Sequence, residues 1–372
     1  MDFGATRIQV SEEQLMLQDA AAGLCAELSS IDRVRALLES AQGYDEVVWQ
    51  SLVDMGWTGL AIPEEQGGAG LSVGEFVTIF EAMGKYLLTT PLMSTVLAAE
   101  LLRRSGEPAA HASLSAIAAG SKATVAFLES EDWIDEALEA RVESGRLIGR
   151  KEHVADAAAA DLILVPALEN GVLVVVVVDA SSLGSEARCA HDVIDATRRA
   201  QSLNLDLTVD DSHIIRGEGL AIALDETRLI GALLVAAEST GAAVSCLNTT
   251  VDYLKTRKQF GKLIGSYQAL KHPAVDILCA IDSSKSLVYQ AASEVSNDRL
   301  SRDARVACHM AKSKASETIL FAGDRAVQFH GGMGFTYECD AQLYLRRALW
   351  AQQAFGDPMT HRKQLASILL DA

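Results

Sequence analysis

The sequence predicts a mostly helical α+β protein in which a helical N-terminal region, a small β unit and a C-terminal helical bundle follow one another. Three observations predict it. Apolar residues recur at helical spacing from residue 11 to about 104, and the pattern shortens to β-branched, alternating runs from Ala123. A long, Ala-rich helical pattern then returns after Gly217. The expected domains are 1–122, 123–216 and 217–372. A chain of 372 residues is long enough for two or three cores, and 49% apolar with only 5% aromatic residues suits helix packed on helix.

Taken in order, Ser11-Glu12-Glu13-Gln14 is a capping-box pattern, and Leu15, Leu17, Ala21 and Leu24 after it recur at helical spacing. Further helices are expected at about 31–42, 44–55, 73–86 and 91–104. Clustered glycines with Pro63 make Gly56–Gly70 a loop, since neither residue suits a helix interior. Strands are expected at 123–128, 137–142, 147–154, 162–165, 172–179 and 202–209, with turns at Glu143-Ser144-Gly145 and Glu169-Asn170-Gly171. The run Val172–Val178 is too short to span a bilayer and reads as a buried strand. Gly217-Glu218-Gly219 marks a hinge, and Asp225 is the expected cap of a long helix carrying Leu229, Leu233, Ala236 and Ala237. Four long helices with apolar faces should then form a bundle, broken at Asn297-Asp298 and at two glycine clusters.

Charge and composition narrow the function. Fifty acidic against 32 basic residues give −18, which repels nucleic acid and anionic membranes and points away from both as partners. Six scattered cysteines lack C-x-x-C spacing, so neither a zinc site nor a disulfide framework is expected; free thiols in a reducing cytoplasm are the simplest account. The opening residues lack the basic-then-apolar layout of a signal peptide. His272, His330 and His361 show no metal-ligand spacing, and no P-loop or G-x-S-x-G elbow occurs.

The chemistry concentrates in two stretches. Arg257 to Gln268, R-K-Q-F-G-K-L-I-G-S-Y-Q, joins a fixed cation, an aromatic and two glycines where a helix breaks, a composition suited to a polyanion. Gln328 to Gly334, Q-F-H-G-G-M-G, is the second. Together, in this order and some sixty residues apart, they resemble the C-terminal domain of the flavin-dependent acyl-CoA dehydrogenases, and the resemblance runs over nearly the whole chain. It implies an N-terminal helical domain, a small middle β-barrel and a C-terminal four-helix bundle. It also implies FAD as cofactor, with the adenosine diphosphate end gripped from a neighbouring subunit by Arg257, Gln259, Phe260, Ile264, Gln268, Gln328, Gly331 and Gly332. An acyl-CoA substrate, a tetramer and electron-transfer flavoprotein as electron acceptor come with it.

The other half of the family's site does not match. Its T-E-P-x-x-G-S-D-like loop and W-I-[TS]-like strand correspond here to A-F-L-E-S-E-D-W-I-D-E-A at 126–137 and R-K-E-H-V-A-D-A-A-A-A-D at 150–161, without the hydroxyls and glycines. Trp133 stands near the missing aromatic, though a lone Trp is more often packing. The family's base, a Glu in Y-E-G, falls on Phe355, and the alternative base position falls on Gly231. Two carboxylates remain nearby. Glu238 lies on an apolar helix about 10 Å beyond Gly231, where pairing with an Arg is the expectation and catalysis the rival. Asp357 is expected to be a cap, and Arg346-Arg347 an inter-helix ion pair. The resemblance is nearest the short subunits of heteromeric acyl-CoA dehydrogenases, such as pimeloyl-CoA dehydrogenase and steroid side-chain-degrading enzymes, in which another chain brings the base. The alternatives are a homotetramer using Glu238 as base and a non-catalytic acyl-CoA-binding or scaffold homologue.

Overall fold

The computed structural model describes residues 11–40, 42–133 and 138–370. Ser11 opens α1 (Glu12–Leu28) through the expected box: its Oγ accepts from the Gln14 N–H at 3.0 Å, and Gln14 Oε1 accepts from the Ser11 N–H at 3.1 Å. Then come α2 (Ile31–Leu38), α3 (Glu46–Asp54), α4 (Phe76–Lys85) and α5 (Leu92–Ser105). A further helix, α6 (His111–Ala118), buries only Leu114 and Ile117, too sparse an apolar period to stand out in the sequence.

The β unit is a mixed sheet of eight strands: β1 (Ala123–Val125), β2 (Arg141–Glu143), β3 (Arg146–Ala155), β4 (Leu162–Glu169), β5 (Val172–Asp179), β6 (Arg188–Ala190), β7 (Ala200–Thr208) and β8 (Ile214–Arg216). Pairing runs β6-β7-β3-β2-β4-β5-β8, with β1 parallel to β4, so the small barrel is an open one with β6 and β8 at its edges. Those two three-residue strands lie outside the expected set, and the start of the run expected at 137–142 falls outside the described residues. The valine run of β5 is buried on both faces, which is why it does not alternate with polar residues. Val174, Val176 and Val178 fill the interior of the sheet with Leu203, Leu205 and Ile163. Val175 and Val177 face outward against Leu101 and Leu102 of α5 and Ile117 of α6.

The bundle consists of α7 (Leu220–Thr256), α8 (Gln268–Glu294), α9 (Arg302–His330) and α10 (Ala341–Gln353), with a fifth helix, α11 (Pro358–Leu370), against α9. Asp225 does not cap α7: the helix already starts at Leu220, and Asp225 sits in its second turn, paired with Arg305 of α9 at 2.8 Å. Over its length α7 is apolar enough to cross a bilayer, yet it is the buried core helix, packed by α4, α5, α8, α9 and α10. Helices α4 and α7 touch backbone to backbone. A Cβ on Gly84 would lie 1.9 Å from the Glu238 carbonyl oxygen, and one on Gly241 would lie 1.8 Å from that of Glu81. No side chain fits at either crossing point.

Candidate functional site

A cavity of about 440 Å³ opens where α5, the β unit and the C-terminal helices meet. The stretches matched to the family's ring-binding loop and strand both reach it, through Phe127, Trp133, His153 and Ala155. A bulge in β3 between Lys151 and Val154 turns His153 inward with φ +48°, and its ring stacks on His191 at 4.3 Å. Where a hydroxyl would serve a flavin ring, the wall therefore offers an imidazole and a methyl group.

The two positions matched from the sequence to the family's base face each other. Phe355 adopts φ +58° and lays its ring over Gly231, so that a Cβ on Gly231 would come within 2.6 Å of it. Trp133 packs on the same ring at 4.5 Å, and Phe127 meets it edge-on at 5.9 Å. Trp133 thus packs on Phe355 and also lines the cavity. The turn that holds Phe355 is anchored from behind. Lys312 is fully buried and donates to Ser316 Oγ at 2.8 Å, the Ala351 carbonyl at 2.9 Å and the Gly356 carbonyl at 3.0 Å. Burial pulls its pKa down to about 7, with Asp357 acting against the shift. His361 Nε2 donates to the Phe355 carbonyl at 3.1 Å, which leaves its Nδ1 to accept from His309 Nδ1 at 2.8 Å. Burial depresses both rings, His309 to about 4 and His361 to about 3, Lys312 and His309 adding to the effect on His361. Asp357 is the expected cap, accepting from the Thr360 N–H at 2.7 Å.

Glu238 does not reach the cavity. It is 1% exposed, and its Oε1 accepts from Arg347 of α10 at 2.5 Å and from Arg198 in the segment leading to β7. Arg347 also binds Asp195 and donates to Thr197 Oγ1 at 2.6 Å. Burial pushes the Asp195 carboxyl up, but the Arg347 and Arg198 guanidiniums outweigh it and hold it below the usual range. Arg347 thus makes the expected inter-helix pair, whereas Arg346 is bonded to Gln342 at 2.7 Å. The partners in the 195–198 segment have no local pattern that announces them, so sequence reasoning missed Asp195 and Arg198.

The stretches expected to grip a dinucleotide come together at the far end of the bundle. The His330 ring stacks on Tyr253 at 4.2 Å, and Phe329, Leu254 and Ile264 share one apolar cluster. Ile264 is buried in that seam and joins the two segments. Arg257, Gln259, Phe260, Gln268, Gln328, Gly331 and Gly332 are all exposed. Among the described residues no carboxylate pairs with Arg257, Lys258 or Lys262, although the chain carries −18 overall. Gly331 has φ +61°, and a Cβ on either it or Gly332 would meet no neighbouring atom within 4 Å, which leaves the backbone open to approach. Unpaired cations beside accessible glycine backbone fit a diphosphate.

Two family descriptions match the chain: the acyl-CoA dehydrogenase N-terminal domain over residues 11–121 and the acyl-CoA dehydrogenase C-terminal domain over 217–370. Acyl-CoA dehydrogenase IpdE2 of Mycolicibacterium smegmatis is 31% identical over 360 residues, covering 96% of this chain and 98% of the relative. The Tcur3481-Tcur3483 steroid ACAD superposes with a TM-score of 0.81 at 25% identity, over 97% of this chain and 98% of that one. The ChsE4-ChsE5 complex from Mycobacterium tuberculosis shares the fold, with a TM-score of 0.86 at 24% identity over 100% of both chains. With matching domains at both ends and full-length similarity between them, this chain belongs to the acyl-CoA dehydrogenases, FAD-dependent oxidoreductases acting on CH–CH bonds.

Proposed function

We propose that this chain is the base-lacking subunit of a heteromeric acyl-CoA dehydrogenase. One observation carries the reading: the Phe355 ring lies on Gly231, so both places from which a carboxylate would take the α-proton are closed by a single apolar contact. The other end of the molecule keeps its function in this reading. Arg257 and the backbone at Gly331 and Gly332 bind the diphosphate of FAD whose ring lies in a partner of the same fold, with Gln328 and Gln268 beside them. Bound flavin supplies hydride acceptance at the substrate's β-carbon, and the partner supplies the carboxylate that removes the α-proton.

The surface around the grip supports a subunit boundary there. Phe260 is 89% exposed, Phe335 75% and Tyr337 67%, aromatic area that a solitary chain would leave in water. Similarity to a steroid ACAD with a two-part name supports a two-chain enzyme acting on an alicyclic acyl-CoA. Electron-transfer flavoprotein is the proposed acceptor. Use of Glu238 as a base in a homotetramer is disfavoured, because its carboxylate is committed to two guanidiniums away from the cavity.

The test is to purify the chain alone and co-expressed with an acyl-CoA dehydrogenase that carries the glutamate, and to record visible spectra and the reductive half-reaction. The pair should hold about one FAD per two chains and turn over, while the lone chain does neither. Full flavin occupancy and turnover by the lone chain reject the proposal.

A further inference from the structure

We propose that Arg35 is a positioning residue of the diphosphate grip, holding the backbone at Gly331 and Gly332 in place from helix α2. The inference deepens the reading above and rests on it, since it takes those glycines to be the grip. Arg35 reaches from the N-terminal region into the segment that joins the glycines to α10. One Nη donates to the Tyr337 carbonyl, and the other donates to Asp340 Oδ1 at 2.6 Å. The planar fork therefore closes on two points of one segment, which a single point charge would not do. Asp340 shows what the contact displaces. It stands at the N-cap of α10, where an Asp ordinarily caps its own helix, yet its side chain makes no cap bond and is turned to Arg35 instead.

What Arg35 fixes at Tyr337 and Asp340 is passed back to the glycines. The Gly334 N–H donates to the Gly331 carbonyl at 2.9 Å, Thr336 to Met333 at 3.0 Å and Cys339 to Thr336 at 3.2 Å. These overlapping turns make one short relay, so a shift at its far end moves the backbone that faces the diphosphate. An arm can position a loop only if its own base is fixed, and α2 is fixed along its length. Val34, next to Arg35, is 1% exposed and shares an apolar cluster with Leu87, Ile277, Ile281 and Cys339. The C-terminal end of α2 is held by Arg199, which donates to the carbonyls of Leu37, Leu38 and Ser40 at 3.0, 3.2 and 2.8 Å. That guanidinium satisfies carbonyls that a helix end leaves unpaired and answers the negative end of its dipole. The glycines are thus tied, through α2, to the body of the protein.

The test strips flavin from the assembled enzyme and titrates it with FAD, with ADP as competitor, and with FMN, which lacks the adenylate end. Arg35→Gln should weaken FAD and ADP about tenfold and leave FMN within about twofold. Arg35→Lys keeps a cation opposite Asp340 and should bring ADP back to within about threefold of the unaltered enzyme. A merely structural role would instead lower FMN affinity and the melting temperature of the flavin-free assembly in step with FAD. FAD and ADP affinities unchanged in Arg35→Gln, an equal loss for FMN, or no recovery in Arg35→Lys overturns the inference. Should Arg35→Gln not assemble, Asp340→Asn reads the same contact from the loop side, and an unchanged ADP affinity there overturns it equally. Arg257→Gln separates the two readings. FAD weakened by Arg257→Gln but not by Arg35→Gln sinks this inference alone, whereas FAD indifferent to Arg257→Gln sinks the grip and this inference with it.

Discussion

Replacing Glu238 by Gln separates the two roles open to that carboxylate, because they move different observables. In the structure Glu238 is 1% exposed, and its Oε1 is the shared anion of Arg198 and Arg347. Removing the charge leaves two buried guanidiniums facing one amide oxygen, with Asp195 as the remaining anion on Arg347. Breaking a buried pair from one side costs about 3–5 kcal/mol, and the surviving amide hydrogen bonds place this change near the lower figure. At roughly 2.1 cal/mol/K per residue over 372 residues, the unfolding entropy converts that to a melting shift of about 4–6 °C. Differential scanning fluorimetry of the assembled enzyme measures the shift, and stopped-flow flavin reduction measures chemistry per folded enzyme. The expectation is a lower melting temperature with the rate of flavin reduction unchanged within about twofold. An unchanged melting temperature with reduction lost would refute the structural role and restore Glu238 as the base.

Three further outcomes follow from the same geometry. Arg257→Gln should leave stability within about 0.5 kcal/mol, because the side chain is exposed, yet weaken FAD retention by about tenfold or more, read as flavin released on gel filtration. Lys312→Met strands the Ala351 and Gly356 carbonyls and should cost about 2–5 kcal/mol in urea unfolding; a cost below about 1 kcal/mol would mean that the Phe355 turn does not depend on it. Acid should destabilise the fold through His309 and His361. Their folded pKa values, about 4 and about 3, lie below the ordinary 6.5, so the unfolded chain binds the protons and stability falls as pH drops from about 6.5 towards 4. The slope is up to ~1.4 kcal/mol per pH unit for each ring, and a His309→Gln, His361→Gln double variant should flatten it.

Local chemistry was legible in the sequence wherever a signal is carried by neighbours in the chain. Ser11 with Gln14 announced α1, the valine run announced β5, and the glycine clusters announced the exposed end of the bundle. Asp225 misled because an acid near a helix start resembles a cap, while the helix in fact begins five residues earlier and uses the acid against Arg305. Ile264 was matched to the grip by its place in the motif, and its burial in a seam with Phe329 and Leu254 is a tertiary contact that the motif does not announce. The contact of Phe355 with Gly231 joins residues over 120 positions apart, and the Asp195–Arg347 pair spans 152. Such encounters depend on how the β unit docks on the bundle, which no local periodicity encodes.

The glycine crossings of α4 and α7 bear on how the molecule breathes. With each carbonyl lying in the notch left by the opposite glycine, the first helical layer cannot slide along α7 without forcing oxygen into a Cα. Helices α4 and α7 are therefore held in one register along their shared length. The cavity between Phe355 and His153 therefore has one wall on this fixed layer and the other on the β unit, whose 195–198 segment Arg347 ties to α10.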